Sequence, residues 1–218
     1  MGRAEYLPGS IPEDSTSVNS NPRSSNADME MLRQQNAFEM PPKGIRDGLI
    51  SSFMQFCEPW TPILDCSWID AEGQSKSPLL LQSLFLAGSR VSSAATAYAS
   101  SEEFYRKAKL LFFFGSETNP LISVVAATLL QWYNPVGPEN ISTDTSGFWI
   151  RTAGAIAFQI GLHKEPPQQS KHRTLRRRLW WSLAVRSCCP NLDDTDSPDS
   201  RQYHLSRDRE AANHQSER

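Results

Sequence analysis

The 218-residue chain is short of the residues that most reactive or metal-binding sites are built from. It has four cysteines and four histidines. Cys57, Cys66, Cys188 and Cys189 do not fall into the paired spacing of a zinc site, so they read as buried or free thiols. No Gly-rich phosphate loop, nucleophile elbow or His-Glu metal motif occurs, which removes the commonest signals of nucleotide, acyl-transfer and metalloprotease chemistry. No apolar run approaches the roughly 18 residues of a bilayer span, and the longest, Leu121–Leu130, fits a buried helix. Residues 1–20 lack the charged-then-apolar pattern of a secretory signal. Charge of one sign is also lacking. The 22 basic and 24 acidic side chains leave a net −2, so the chain has no overall basic character for gripping nucleic acid. There is no convincing β alternation and no internal repeat.

What is present is unevenly distributed. Residues 1–43 hold 4 basic and 6 acidic side chains, residues 44–189 hold 14 and 11, and residues 190–218 hold 4 and 7. The middle segment also carries all six tryptophans. This predicts a disordered arm over 1–43, a helical domain over 44–189 and a disordered polar tail over 190–218. Within the first arm, Asp28–Phe38 has the composition of a transient helix.

The middle segment reads as an all-α domain of about six helices. Ile45, Leu49, Phe53 and Phe56 recur at helical spacing, with Ile50 and Met54 widening the stripe, up to Pro59. Trp60–Leu64 then forms an extended apolar connector. Ser77-Pro78 opens a central helix to about Ala99. Ser100 and Glu103 form a capping box for a helix with Phe104, Leu111, Phe112 and Phe114, closed by Gly115. Asn119-Pro120 opens the next, as far as Leu130 or Tyr133. Thr143 or Thr145 caps a helix to Ile160, with Gly161 as its left-handed end. A last helix spans about Arg173 to Arg186, with Leu175, Leu179 and Leu183 four apart.

The densest charge feature is Lys171-His172-Arg173-Thr174-Leu175-Arg176-Arg177-Arg178. Lys171, Arg173, Arg176, Arg177 and Arg178 can be read as a nuclear import run or a phosphate-contacting patch. They can equally be the solvated face of a helix whose arginine stems cover apolar surface. The acidic run Asp193–Asp199 lacks the glycine and glutamate of a calcium loop and reads as a solvated tail. Cys188-Cys189 with His204 lacks ligand spacing. His163, at a helix end, has no nucleophile or orienting carboxylate nominated beside it, so a structural role fits it best. No catalytic, cofactor-binding or metal-binding residue is assigned, and an enzyme is not expected.

Three stretches carry a family resemblance: Gly147-Phe148-Trp149-Ile150-Arg151, Ala157–Glu165 with Gly161-Leu162-His163, and Arg176-Arg177-Arg178-Leu179-Trp180-Trp181-Ser182-Leu183. Together they resemble the central regulatory region of fungal zinc-cluster transcription factors, and within that family Leu111–Asn134 and Gly161–Pro166 look nearest the cutinase transcription factor group. Phe56–Asp65 and Leu80–Gly88 resemble its entry, so the likeness covers about residues 45–187. It implies an all-α regulatory domain of a nuclear, DNA-binding transcription regulator, with no catalytic residues. In full-length relatives the DNA reader is a six-cysteine cluster holding zinc, whereas residues 1–43 contain no cysteine. No cofactor is therefore expected in this chain, and DNA is a partner by family membership only. The family's Asp-Arg pair and Gly-Arg-Pro segment after the Trp-Trp helix are replaced by Cys188-Cys189-Pro190 and a polar tail. The expectation is a truncated chain, the N-terminal part of a larger helical domain. Its uncovered apolar surface would invite protein partners or homodimerisation, with no membrane role. One of the two indoles, Trp180 or Trp181, should pack against the Phe148–Ile160 helix while the other stays exposed.

Overall fold

The computed structural model describes residues 25–69, 75, 77–92, 100–135, 142–170 and 172–188. Among them the regular structure is entirely helical: α1 (Asn26–Gln34), α2 (Lys43–Ser52), α3 (Pro78–Val91), α4 (Ser101–Phe113), α5 (Pro120–Leu130), α6 (Ser146–Gln159) and α7 (Arg173–Cys188). A π-helical turn, Phe53–Cys57, extends α2, and a short 3-10 turn covers Cys66–Trp68. The all-α class is the one the sequence implied. No helix of the described residues is long and apolar enough to cross a membrane.

Helix α3 is the axis of the fold. Every residue from Leu79 to Gly88 is buried, and the helix touches α2, the π turn, α4 and α5. Its sequence is apolar on all sides, so it needs neighbours on all sides. Ser77 caps it, accepting from the Leu80 N–H at 3.2 Å, and Pro78 occupies the first turn where its missing N–H costs nothing. The buried Ser83 hydroxyl donates to the Leu79 carbonyl at 2.9 Å, which satisfies it within the helix. Helix α5 is a second buried rod, packed between α3, α4 and α6. Its Thr128 hydroxyl bonds Val124 in the same way.

Three helices end on a left-handed residue. Asn36, Gly115 and Gly161 have φ of 53°, 64° and 69°. In each case the following N–H reaches back to the helix: Ala37 to Leu32 at 2.9 Å, Ser116 to Leu111 at 3.2 Å and Leu162 to Ala157 at 2.9 Å. Ala37 and Leu162 are thereby tucked into the core, the hydrophobic contact that accompanies this type of C-cap.

The structure differs from the sequence-based expectation at three places. First, the segment expected to be an arm carries order from Ser25 onward. Ser25 and Asp28 form a reciprocal capping box, and Leu32 is fully buried. The Gln82 amide donates to the Glu39 carbonyl at 2.7 Å. The ammonium of Lys107, only 4% exposed, bridges Glu39 at 3.1 Å and Glu103 at 2.9 Å. Burial alone would push that ammonium down, but the two carboxylates more than offset it and hold its pKa above the ordinary lysine value. Glu103 therefore serves Lys107, although Ser100 still accepts its N–H at 3.3 Å. A segment poor in apolar residues is held by the few it has, Leu32 and Ala37 in the core with Met29, Phe38 and Met40 against it, and by long-range polar contacts that no local pattern reveals.

Second, the π turn changes the stripe of α2. Its wider turn carries the buried series from Leu49 to Phe53 to Cys57, and Phe56 is turned outward at 51% exposure. Third, α3 ends at Val91, with Ser92 extended, rather than running to Ala99. Residues 93–99, like the remote arm and tail 1–24 and 189–218, lie outside the described residues.

A side chain on Gly88 would begin 2.3 Å from the Leu49 carbonyl oxygen, so α2 and α3 meet backbone to backbone there. Gly48, by contrast, has open space around it. Gly88→Ala should cost about 3 kcal/mol through forced separation of the two helices. Gly48→Ala should gain about 0.5–1 kcal/mol by improving helix propensity. Urea unfolding followed by circular dichroism checks both signs.

Candidate functional site

The residues that carry the family resemblance are gathered at α6, the turn after it and α7. Thr145, not Thr143, caps α6, accepting from the Phe148 N–H at 3.2 Å. Gly147 sits in the first turn with Arg151 beside it. Phe148 is half-buried and packs edge-on to Trp149. Trp149 is fully buried and its indole N–H donates to the Tyr105 hydroxyl at 2.8 Å. Tyr105 donates onward to Asp144 at 2.6 Å, and the Lys109 ammonium holds the same carboxylate oxygen. Tyr133 stacks on Tyr105 with centroids 4.3 Å apart. Burial, joined by the Asp144 carboxylate, pushes the Tyr105 hydroxyl well above the usual tyrosine range. Burial also acts to raise Asp144, but the donors Lys109 and Tyr105 prevail and hold it below the carboxylate norm. This network fastens the start of α6 to α4. It was not legible in the sequence, because each of its hydrogen bonds joins residues 35 or more apart.

The Gly161-Leu162-His163 turn is a helix stop. Gly161 supplies the left-handed backbone and Leu162 plugs the core. His163 is exposed, with its ring 5.1 Å from Phe158 and 6.1 Å from Trp180. Phe158 and Trp180 meet edge to face at 5.3 Å. Trp180 is thus the indole that packs against α6, and Trp181 is the one that faces water, at 62% exposure.

The arginines of α7 are largely employed inside the molecule. The helix buries Leu175, Leu179 and Leu183. Arg176 donates to the Ile160 carbonyl at 3.1 Å, closing the end of α6. Arg173 and Arg177 share Glu165, at 2.8 and 3.5 Å. On the opposite side α7 is tied to the connector that precedes the 3-10 turn. His172 lies 3.1 Å from Asp65, Arg178 reaches the Leu64 carbonyl at 3.5 Å and Arg186 bonds the buried Thr61 hydroxyl. Burial works against the Asp65 carboxylate, but hydrogen bonds from Ser67 and His172 keep its pKa below normal. Arg178 likewise pulls against the burial that raises Glu58. Lys171 lies outside the described residues. The run first noticed for its charge is a set of ties between α7, α6 and the connector, and the connector partners Thr61, Leu64 and Asp65 had no signal of their own in the sequence.

The described cysteines do not offer a zinc site. Cys57 is buried with its thiol on the Ala87 carbonyl, and Cys66 is exposed elsewhere. Among the described residues no three His, Cys, Asp or Glu side chains come close enough to hold a metal.

Compared with known proteins, residues 50–183 match the fungal specific transcription factor domain. The chain belongs to that family. It is 29% identical over 195 residues to cutinase transcription factor 1 alpha of Fusarium vanettenii, a match covering 78% of this chain and 21% of that protein. It is 28% identical over 180 residues to the acetamidase regulatory protein of Aspergillus oryzae, covering 73% and 23%. It is 31% identical over 180 residues to the transcription factor cpaR of Aspergillus oryzae, covering 72% and 29%. The chain thus spans about a fifth to three tenths of the length of these relatives. No solved structure matches it. The family match ends inside α7; it covers Trp180, Trp181 and the ties of Arg173, Arg176, Arg177 and Arg178, and stops short of Arg186.

Two outcomes follow from these contacts. Trp180→Ala should cost about 2 kcal/mol, since it removes a half-buried indole from Phe158, and Trp181→Ala should stay within about 0.5 kcal/mol. Thermal melts of the two single variants separate them, and equal large losses would show that both indoles are covered. Asp144 is lowered in the folded state, so its contribution is present above the unfolded carboxylate pKa near 4 and is lost as pH falls through the folded value. Asp144→Asn should therefore cost about 1 kcal/mol at pH 7. That deficit should shrink steadily below about pH 4 in a pH series of urea midpoints.

Proposed function

We propose that this chain acts in transcription regulation as a protein-contacting regulatory domain, that it resides in the nucleus, and that it associates with DNA through partners or relatives rather than by its own base contacts. The observation that carries this reading is the match of residues 50–183 to a domain of fungal transcription factors. Relatives named as transcription factors or regulatory proteins support it. The charge distribution supports the DNA part: a net −2 overall does not suit backbone phosphate binding. The exposed aromatic side chains Phe56, Trp60, Phe158 and Trp181 favour protein contacts, because such rings are the usual anchors of interfaces. The arrangement around α6 and α7 joins helices and presents no nucleophile paired with a base, so we assign no catalytic role.

The test is a tethering assay in a filamentous fungus. Fused to an unrelated DNA-binding module, the chain should change expression from a reporter carrying that module's site, and a fluorescent fusion should collect in the nucleus. Reporter output equal to that of the DNA-binding module alone would overturn the regulatory reading. For the purified chain, gel-shift titrations should show only weak binding without sequence preference, falling steeply between about 50 and 200 mM salt. Nanomolar affinity for one site at physiological salt would refute the indirect association with DNA.

A further inference from the structure

The outer face of α7 combines two properties that seldom stay uncovered together. Trp181 and Val185, one turn apart, are 62% and 60% exposed. Trp60, at 84% exposure, lies next to Thr61, which Arg186 ties to the C-terminal half of the same helix. Around these apolar groups positive charge predominates. From Ile160 to Cys188 the chain has seven lysines and arginines against a single acid, Glu165. That carboxylate is shared by Arg173 and Arg177, and the connector adds only Glu58 near Arg178 and Asp65 beside His172, so a net positive excess remains. Two such faces would repel each other, which argues against a second copy of this chain as the occupant.

The chain itself supplies a segment of opposite character immediately after α7. Residues 190–199 contain Asp193, Asp194, Asp196 and Asp199, no basic residue, and one large apolar side chain, Leu192. The reach fits. Four extended residues, 189–192, span about 13 Å, while Trp181 lies about 10 Å back along the helix from Cys188. Five residues, 189–193, span about 17 Å, and Arg177 lies about 17 Å back. We propose that the face formed by Arg177, Trp181, Val185 and Trp60 is a docking surface for an acidic segment that carries an apolar anchor, and that its occupant is Leu192–Asp199 of the same chain, folded back along α7. Leu192 covers Trp181 and Val185, and the aspartates lie along the arginines. Tethering through a few residues sets a local concentration in the millimolar range, so an intrinsically weak contact suffices.

The experiment is residue-resolved hydroxyl-radical footprinting of the full chain, read by mass spectrometry so that each tryptophan reports separately. The parent is compared with a variant carrying Asp193→Asn, Asp194→Asn, Asp196→Asn and Asp199→Asn together. Oxidation of Trp181 should rise about two- to threefold in the variant, the change expected when a site filled half to two-thirds of the time by a tethered millimolar ligand is freed. Oxidation of buried Trp149 should not change. Raising salt to about 1 M should release Trp181 in the parent by the same factor. Equal Trp181 rates in parent and variant at low salt would overturn the proposal. So would protection of Trp181 that disappears on dilution of the parent and is kept by the variant, since a second copy would then be the occupant. Because the substitutions follow α7 in sequence, an unchanged Trp149 rate certifies the fold in the same measurement.

Discussion

The carbonyl oxygen of Leu49 occupies the space where a side chain on Gly88 would start, and this backbone-to-backbone contact sets the depth of the whole assembly. It lets α2 and its π turn come down onto α3 closely enough for Cys57 to place its thiol on the Ala87 carbonyl. With α2 so close on one side and α4 and α5 on the others, ten consecutive residues of α3 leave water. Each buried aliphatic side chain there contributes about 1.5–3 kcal/mol relative to an exposed one. The absence of a side chain at one position thus permits the burial of many others.

Outward from that axis the means of attachment change. Helices α4, α5 and α6 are joined by apolar packing and by the Trp149–Tyr105–Asp144 relay. Helix α7 buries three leucines and sets one indole against Phe158 of α6, and it is further held by guanidinium bonds to the carbonyls of Ile160 and Leu64 and to the Thr61 hydroxyl. Bonds from a charged donor to a backbone oxygen are directional and contribute about 1.5–3 kcal/mol each. They orient α7 without burying it. The outer face of the helix is therefore left free for other contacts while its inner face is fixed.

Local rules were enough wherever the chain's own neighbours decide the outcome. The Ser77-Pro78 and Asn119-Pro120 starts, the Gly115 and Gly161 stops and the leucine ladder of α7 all stand where propensity and spacing put them. Sequence reasoning fell short where a distant partner decides. Helix α1 reads only as a transient helix, and its order depends on Leu32 and Ala37 entering the core and on Gln82 and Lys107 holding Glu39 from more than 40 residues away. The arginine run was visible as charge, but the identity of its partners was not, since a backbone carbonyl has no residue-type signature. Likewise the division of labour between Trp180 and Trp181 follows from helical geometry, whereas the ring that receives Trp180, Phe158, is known only from the packing.

The π turn has an evolutionary consequence. A π turn amounts to one extra residue accommodated inside an α-helix. Here Phe53 and Cys57 point inward, while Phe56 and Trp60 are both exposed. Loss of a single codon between Phe53 and Phe56 would restore the ordinary period of about 3.6 residues per turn and bring Glu58, in place of Cys57, to the fourth position after Phe53. The interior would then have to accept a carboxylate where it now holds a thiol. The buried face of α2 is therefore sensitive to a change in length as well as to substitution.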